Sequence, residues 1–69
     1  MSQVMIVVNG KETPVPGRTT VRQLIELMGM GQAAVAAEVN QVLVPRREHE
    51  ARVLEAGDRV ELVTLVGGG

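Results

Sequence analysis

Positions 4 to 8 (Val-Met-Ile-Val-Val) are all apolar and mostly β-branched, the composition of a strand. Asn9-Gly10 follows, a pair suited to the two positive φ angles of a type I′ turn, so a hairpin is predicted that returns through Lys11-Glu12-Thr13-Pro14-Val15. Pro14 has no N–H to donate, which places the returning strand at a sheet edge or ends its pairing there. Alternation puts Val4, Ile6 and Val8 on one face of the first strand and Met5 and Val7 on the other. A strand apolar on both faces calls for a cover on each, and a partner protein is one candidate cover.

Pro16-Gly17-Arg18-Thr19 breaks this pattern, and from Thr20 the period changes. Thr20 with Gln23 three residues on reads as a capping box, and Val21, Leu24, Ile25 and Met28 form an i, i+3, i+4, i+7 stripe, so a helix of about two turns is predicted. Arg22, Gln23 and Glu26 take its wet side, and Gly29 stands where a left-handed cap is wanted. So short a helix needs a surface to lie on, which the apolar face of the hairpin supplies. Residues 33 to 39 (Ala-Ala-Val-Ala-Ala-Glu-Val) are read as a strand, Asn40-Gln41 as a tight turn, and Val42-Leu43-Val44 as a strand closed by Pro45. The charged run Arg46-Arg47-Glu48-His49-Glu50 is a solvated turn or one helical turn. Gly57-Asp58 then precedes the longest strand pattern, residues 59 to 66, with Val60 and Leu62 facing the core. Hairpin, helix, two short strands and a long last strand make one α+β module: a mixed sheet of four to five strands with one main helix on one face.

Length allows nothing larger. At 69 residues the chain is about half an ordinary domain, and 45% hydrophobic against 22% charged residues is a globular profile. Without Phe, Trp or Tyr the core must be filled by branched aliphatics and Met, leaving little area for an enclosed pocket and favouring a binding or carrier module over an enzyme with its own cavity. A net charge of −1 and the lack of any aromatic speak against nucleic acid. No apolar run approaches the roughly 18 residues of a membrane span. The start, Met1-Ser2-Gln3, has no leader pattern, and the expected home is the cytoplasm. With no Cys there is no thiolate nucleophile and no cysteine zinc site.

Candidate chemistry lies at the end of the chain. Gly67-Gly68-Gly69 directly follows the last strand, a tail thin enough to thread a narrow groove and free to take φ values closed to other residues. It offers the carboxylate of Gly69 to another protein's active site; the plainer reading is a frayed end. Val63, Leu65 and Val66 lead into it and are the candidate partner surface, Leu65 and Val66 being apolar beyond what the core needs; the plainer reading is that they complete the core's edge. The single histidine, His49, flanked by Glu48 and Glu50, is read as a surface residue, because metal binding needs convergent ligands and general-base work needs a cleft. Glu48 and Glu50 are read as hydrated. Arg46 and Arg47 are a candidate anion or partner contact beside the nearly neutralising Glu48. Met5, Met28 and Met30 are read as gap fillers in the core.

Val8-Asn9-Gly10, Thr20-Val21 with Leu24-Ile25, the run from Val35 to Asn40, Val44-Pro45-Arg46, Leu54 with Gly57-Asp58-Arg59-Val60-Glu61, and Val66-Gly67-Gly68-Gly69 stand in the order and spacing of the ThiS family of sulfur carriers, which the chain resembles over nearly its whole length. It departs from the family pattern in having no aromatic near Glu48 and His49, where relatives often carry Trp or Tyr, and in Gln41, where a turn Gly is common.

The resemblance implies a β-grasp, ubiquitin-like domain over residues 1–66 and a flexible glycine tail over residues 67–69. It implies a protein that is a co-substrate and not an enzyme, with no bound cofactor, metal or catalytic side chain of its own. A free carboxylate is a poor electrophile. In this family an adenylating partner of the ThiF type spends ATP to make an acyl-adenylate of the last glycine, which here is Gly69. Sulfur from a cysteine desulfurase system displaces AMP and leaves a thiocarboxylate, the sulfur source of a thiazole synthase of the ThiG type making the thiazole of thiamine. With no Cys in the chain, the sulfur has only that carbonyl carbon to sit on. The alternatives are a small subunit of molybdopterin synthase of the MoaD type, a carrier for another sulfur metabolite, a noncovalent β-grasp interaction module for which the tail is irrelevant, and a small enzyme, which the single histidine and absent pocket disfavour.

Overall fold

A computed structural model describes residues 2–65. Its elements follow in the order β1 (Gln3–Val8), β2 (Lys11–Pro16), α1 (Val21–Leu27), β3 (Val35–Val39), β4 (Val42–Val44), a 3₁₀ turn (Arg46–Glu48) and β5 (Arg59–Thr64). The strands form one five-stranded sheet in the order β2-β1-β5-β3-β4. β1 and β5 run parallel at its centre and the other neighbours are antiparallel. This is the mixed sheet with one helix anticipated above, and it is a ubiquitin-like β-grasp. The last strand is inserted between the two hairpins, so it is the central element of the sheet.

Both tight turns take left-handed backbone angles at their two central residues. Asn9 and Gly10 sit at φ 51° and 82°, and Asn40 and Gln41 at 53° and 69°. Gly10 bears that angle without strain; Gln41 does not. Pro14 stays inside β2, which is an edge strand. The Gly17 N–H donates to the Ser2 carbonyl at 3.0 Å, and counting back in twos leaves the nitrogens of Pro16 and Pro14 pointing away from β1. No ladder bond is lost, and the open edge has fewer donors with which to recruit a foreign strand.

Helix α1 opens with the capping box. The Thr20 hydroxyl accepts the Gln23 N–H at 3.1 Å and the Gln23 side chain accepts the Thr20 N–H at 3.0 Å, a motif contributing about 1 kcal/mol. It closes with two backbone bonds, Gly29 N–H to Glu26 O and Met30 N–H to Ile25 O, both at 3.0 Å, with Gly29 at φ +77°. Val21, Leu24 and Ile25 face a core completed by Ile6, Val8, Val15, Ala37, Val39, Val44, Val60, Leu62 and Leu54.

Two methionines are not where the pattern put them. The helix ends at Leu27, so Met28 is its cap and is exposed, and Met5 lies on the outward face of β1 and is exposed as well. Only Met30 of the three packs against the core. The aliphatics close the core on their own because one helix and one sheet face are all that must be filled. The strand predicted over residues 33 to 39 begins at Val35, and the last strand, predicted to residue 66, ends at Thr64.

Candidate functional site

The residues singled out at the chain's end divide between what is described and what is not. Val66, Gly67, Gly68 and Gly69 lie outside the described residues; Val63 and Leu65 lie within them. What the structure shows is the base from which the end departs.

That base is held from both sides. On one flank Asn9 donates its backbone N–H to the Val60 carbonyl at 2.9 Å, and its side chain bonds both the N–H and the carbonyl of Leu62. On the other flank the Asn40 N–H donates to the Arg59 carbonyl, its Oδ1 accepts the Arg59 N–H at 3.0 Å, and its Nδ2 donates to Asp58 Oδ1 at 3.0 Å. The first residue of each hairpin turn thus clamps β5. β5 then pairs with β3 up to Thr64 against Val35, and the Leu65 N–H donates to the Ala34 carbonyl at 2.8 Å. The chain is fixed to within one residue of its undescribed end.

Around this base one sheet face is open. Val63 (56% exposed) and Leu65 (55%) present apolar side chains to solvent, with Met5 of β1 and Leu43 of β4 also exposed. Across β5 from Val63 stands Ala36, and Glu61 stands directly across from Glu38. Like charges in register weaken a strand pair slightly, so the open face is apolar toward the tail and acidic behind it.

His49 is the second correction. Expected at the surface, it is 6% exposed, its Nε2 lying 3.0 Å from the Val44 carbonyl. A carbonyl only accepts, so Nε2 carries the proton. The His49 carbonyl accepts the Arg22 N–H of α1 at 3.0 Å, and its N–H donates to the Arg46 carbonyl at 3.1 Å. A single 3₁₀ turn after Pro45 turns this residue inward while Arg46, Arg47, Glu48 and Glu50 stay exposed, as their charges require. Sequence reasoning missed it because every neighbour in the run is charged. The groove above His49, about 570 Å³, is lined by Arg22, Arg46, Arg47 and Glu50 over Ile25, Ala33 and Val35.

Among the described residues no three His, Asp or Glu side chains converge as a metal would need, and no helix is long and apolar enough to cross a membrane. The described part of the site is a strand held on both flanks with an open apolar patch beside it.

Comparisons with known proteins agree with this geometry. The profile of the ThiS family matches residues 2–69. The chain is 35% identical over 65 residues to the sulfur carrier protein ThiS of Thermus thermophilus, covering 94% of this chain and all of that one. It is 33% identical over 64 residues to a thiazole synthase of Paramagnetospirillum magneticum, covering 93% of this chain but only 20% of the synthase. The crystal structure of a thiamine biosynthesis protein (ThiS) from Geobacter metallireducens superposes with a TM-score of 0.77 at 32% identity, over 96% of this chain and 100% of that one.

Proposed function

The chain belongs to the ThiS family, and from that premise we propose that it is the sulfur carrier for the thiazole of thiamine, bearing the sulfur as a thiocarboxylate on Gly69. The observation that supports the reading is the similarity to the Thermus carrier, which covers all of that protein and 94% of this chain.

The chemistry assigns the chain a passive part. The Gly69 carboxylate attacks the α-phosphorus of ATP in the active site of a ThiF-like adenylating enzyme, and pyrophosphate leaves. The terminal sulfur of a persulfide made by a cysteine desulfurase attacks the activated carbonyl and AMP leaves; a thiol then reduces the resulting acyl disulfide, and the thiocarboxylate released is carried to a ThiG-like thiazole synthase. ATP is bound by the partner. Nucleophiles, acids and bases belong to the partners also, which suits a chain with no Cys and with its one histidine tied to the Val44 carbonyl. The chain's own contribution is orientation. Gly67 and Gly68 give a tail with no side chain to obstruct a narrow channel. Val63 and Leu65, both exposed, together with Val66 next in sequence, are the proposed apolar contact on which partners seat the body while they take the tail. The similarity to a thiazole synthase, one fifth of which this chain matches, supports that enzyme as a partner.

Intact-mass measurement tests the reading. After incubation with the adenylating enzyme, ATP and the desulfurase system, the chain gains the mass difference of sulfur for oxygen, located at Gly69 by fragmentation. An unchanged mass under conditions that load the Thermus carrier contradicts it.

A further inference from the structure

We propose that the groove between α1 and the 3₁₀ turn is a second docking element, which receives an acidic, aliphatic-bearing surface segment of thiazole synthase. The inference rests on the functional reading above and adds to it a contact on the helix side of the molecule, away from the open sheet face.

Charge carries the argument. The whole chain is at −1, yet this groove is lined by three arginines and one glutamate. Arg22 is engaged by Glu26 at 3.0 Å and Glu50 at 3.7 Å. Arg46 and Arg47 form no ion pair among the described residues, and both are exposed. Two adjacent guanidinium groups with no carboxylate of their own, above a floor of Ile25, Ala33 and Val35, complement a segment that carries carboxylates beside an aliphatic side chain.

The arginines stand on a fixed base. Glu48 N–H bonds the Pro45 carbonyl at 2.8 Å, His49 N–H bonds the Arg46 carbonyl, and the His49 ring bonds Val44, so little backbone entropy remains to be lost on binding.

Position supplies the partner. The strand forming the groove's wall is the one beside the tail's root: Val35 pairs with Thr64, and Ala34 bonds Leu65. Val35 lines the groove together with Arg46 and Arg47 and is itself the cross-strand neighbour of Thr64, at the root of the tail. A protein that holds the tail therefore meets the groove with its neighbouring surface. Thiazole synthase is that protein here, because a relative carries a stretch like this chain within a thiazole synthase.

The test measures the Kd of the full chain for its cognate thiazole synthase, with Arg46→Glu/Arg47→Glu set against Lys11→Glu/Arg18→Glu, an equal change of net charge at exposed positions outside the groove. Reversal in the groove is expected to weaken binding about 10-fold or more, while the control changes it less than about 2-fold. Arg46→Ala/Arg47→Ala should fall between them, with a shallower salt dependence than the unaltered chain. Unchanged resonances of the single histidine, whose ring lies beneath the groove, verify that the variants are folded. Equal binding by the groove variant and the control overturns the groove assignment and leaves the carrier reading to the mass test. Failure of the unaltered chain to bind the synthase overturns the assignment together with that partner. Saturable binding of ATP alone, lost in the groove variant, overturns it in favour of a nucleotide site.

Discussion

Asn9 grips Leu62 by both of its backbone polar groups, accepting the N–H at Oδ1 (2.8 Å) and donating from Nδ2 to the carbonyl (3.2 Å) across 53 positions of sequence. The side-chain amide stands in for a piece of strand, prolonging the parallel pairing of β1 with β5 beyond the point where β1 turns away. Asn9→Gly keeps the positive φ, removes the amide and adds about 0.4 to 1 kcal/mol of unfolded-state entropy. Loss of the amide is expected to cost about 1 to 3 kcal/mol besides, the net worth of two part-buried hydrogen bonds. Urea unfolding measures this as a lowered midpoint at an unchanged m-value. A variant as stable as the parent would mean the amide is an ornament of the turn and holds nothing.

Gln41 carries a left-handed φ of 69° in the Asn40-Gln41 turn without the freedom of glycine. Gln41→Gly exchanges roughly 1 to 2 kcal/mol of steric cost for about 0.4 to 1 kcal/mol of extra unfolded-state entropy. The expected net is a stabilisation of about 0.5 to 1 kcal/mol, seen as a raised urea midpoint. Gln41→Val should move the midpoint the other way, because a β-branched side chain tolerates this angle least. A midpoint that falls on substitution by glycine would show that the Gln41 side chain makes a compensating contact.

These two turns mark what the sequence made legible and what it did not. Asn9-Gly10, the Thr20–Gln23 box and Pro14 are local signals, whose partners lie within a few residues, and the structure realises each one. The alternation of β5 gave the inward pair Val60 and Leu62 and the outward Val63 for the same reason. The clamps on β5 were hidden, since an Asn that suits a turn looks the same whether or not its amide reaches a strand at the far end of the chain. His49 was hidden more deeply. Its burial is decided by where the 3₁₀ turn meets α1 and β4, and the flanking charges, all solvated, point a reader the wrong way. Met5 and Met28 erred in the opposite direction: apolar residues were assigned to a core that was already full.

His49 anchors the 3₁₀ turn to β4 through its ring and to α1 through its carbonyl. His49→Ala removes a buried ring and its hydrogen bond, with an expected loss of about 2 to 4 kcal/mol. At roughly 4 to 8 °C per kcal/mol for a domain of this size, the thermal midpoint should drop by about 8 °C or more. His49→Gln retains a donor for Val44 and should recover part of the loss. Were the alanine variant to melt with the parent, the ring would be filling space that the turn does not need.

Docking and threading make different demands on the adenylating enzyme, and two substitutions separate them. Val63 is exposed on the open face, across the sheet from Ala36 and clear of the core, so Val63→Glu should alter stability by no more than about 0.5 kcal/mol. It places a charge in the apolar patch where the body is proposed to seat. Lost seating is binding energy common to ground and transition states, so KM for the carrier should rise, by about 10-fold, while kcat is unchanged. Gly68→Val leaves that patch intact and adds a branched side chain to the thread. Its body should dock as before, and kcat for acyl-adenylate formation should collapse because the carboxylate no longer reaches the α-phosphorus. Pyrophosphate release at varied carrier concentration distinguishes the two. Unaltered KM in Val63→Glu would remove the open face from the docking surface, and normal turnover in Gly68→Val would remove the requirement for a bare tail.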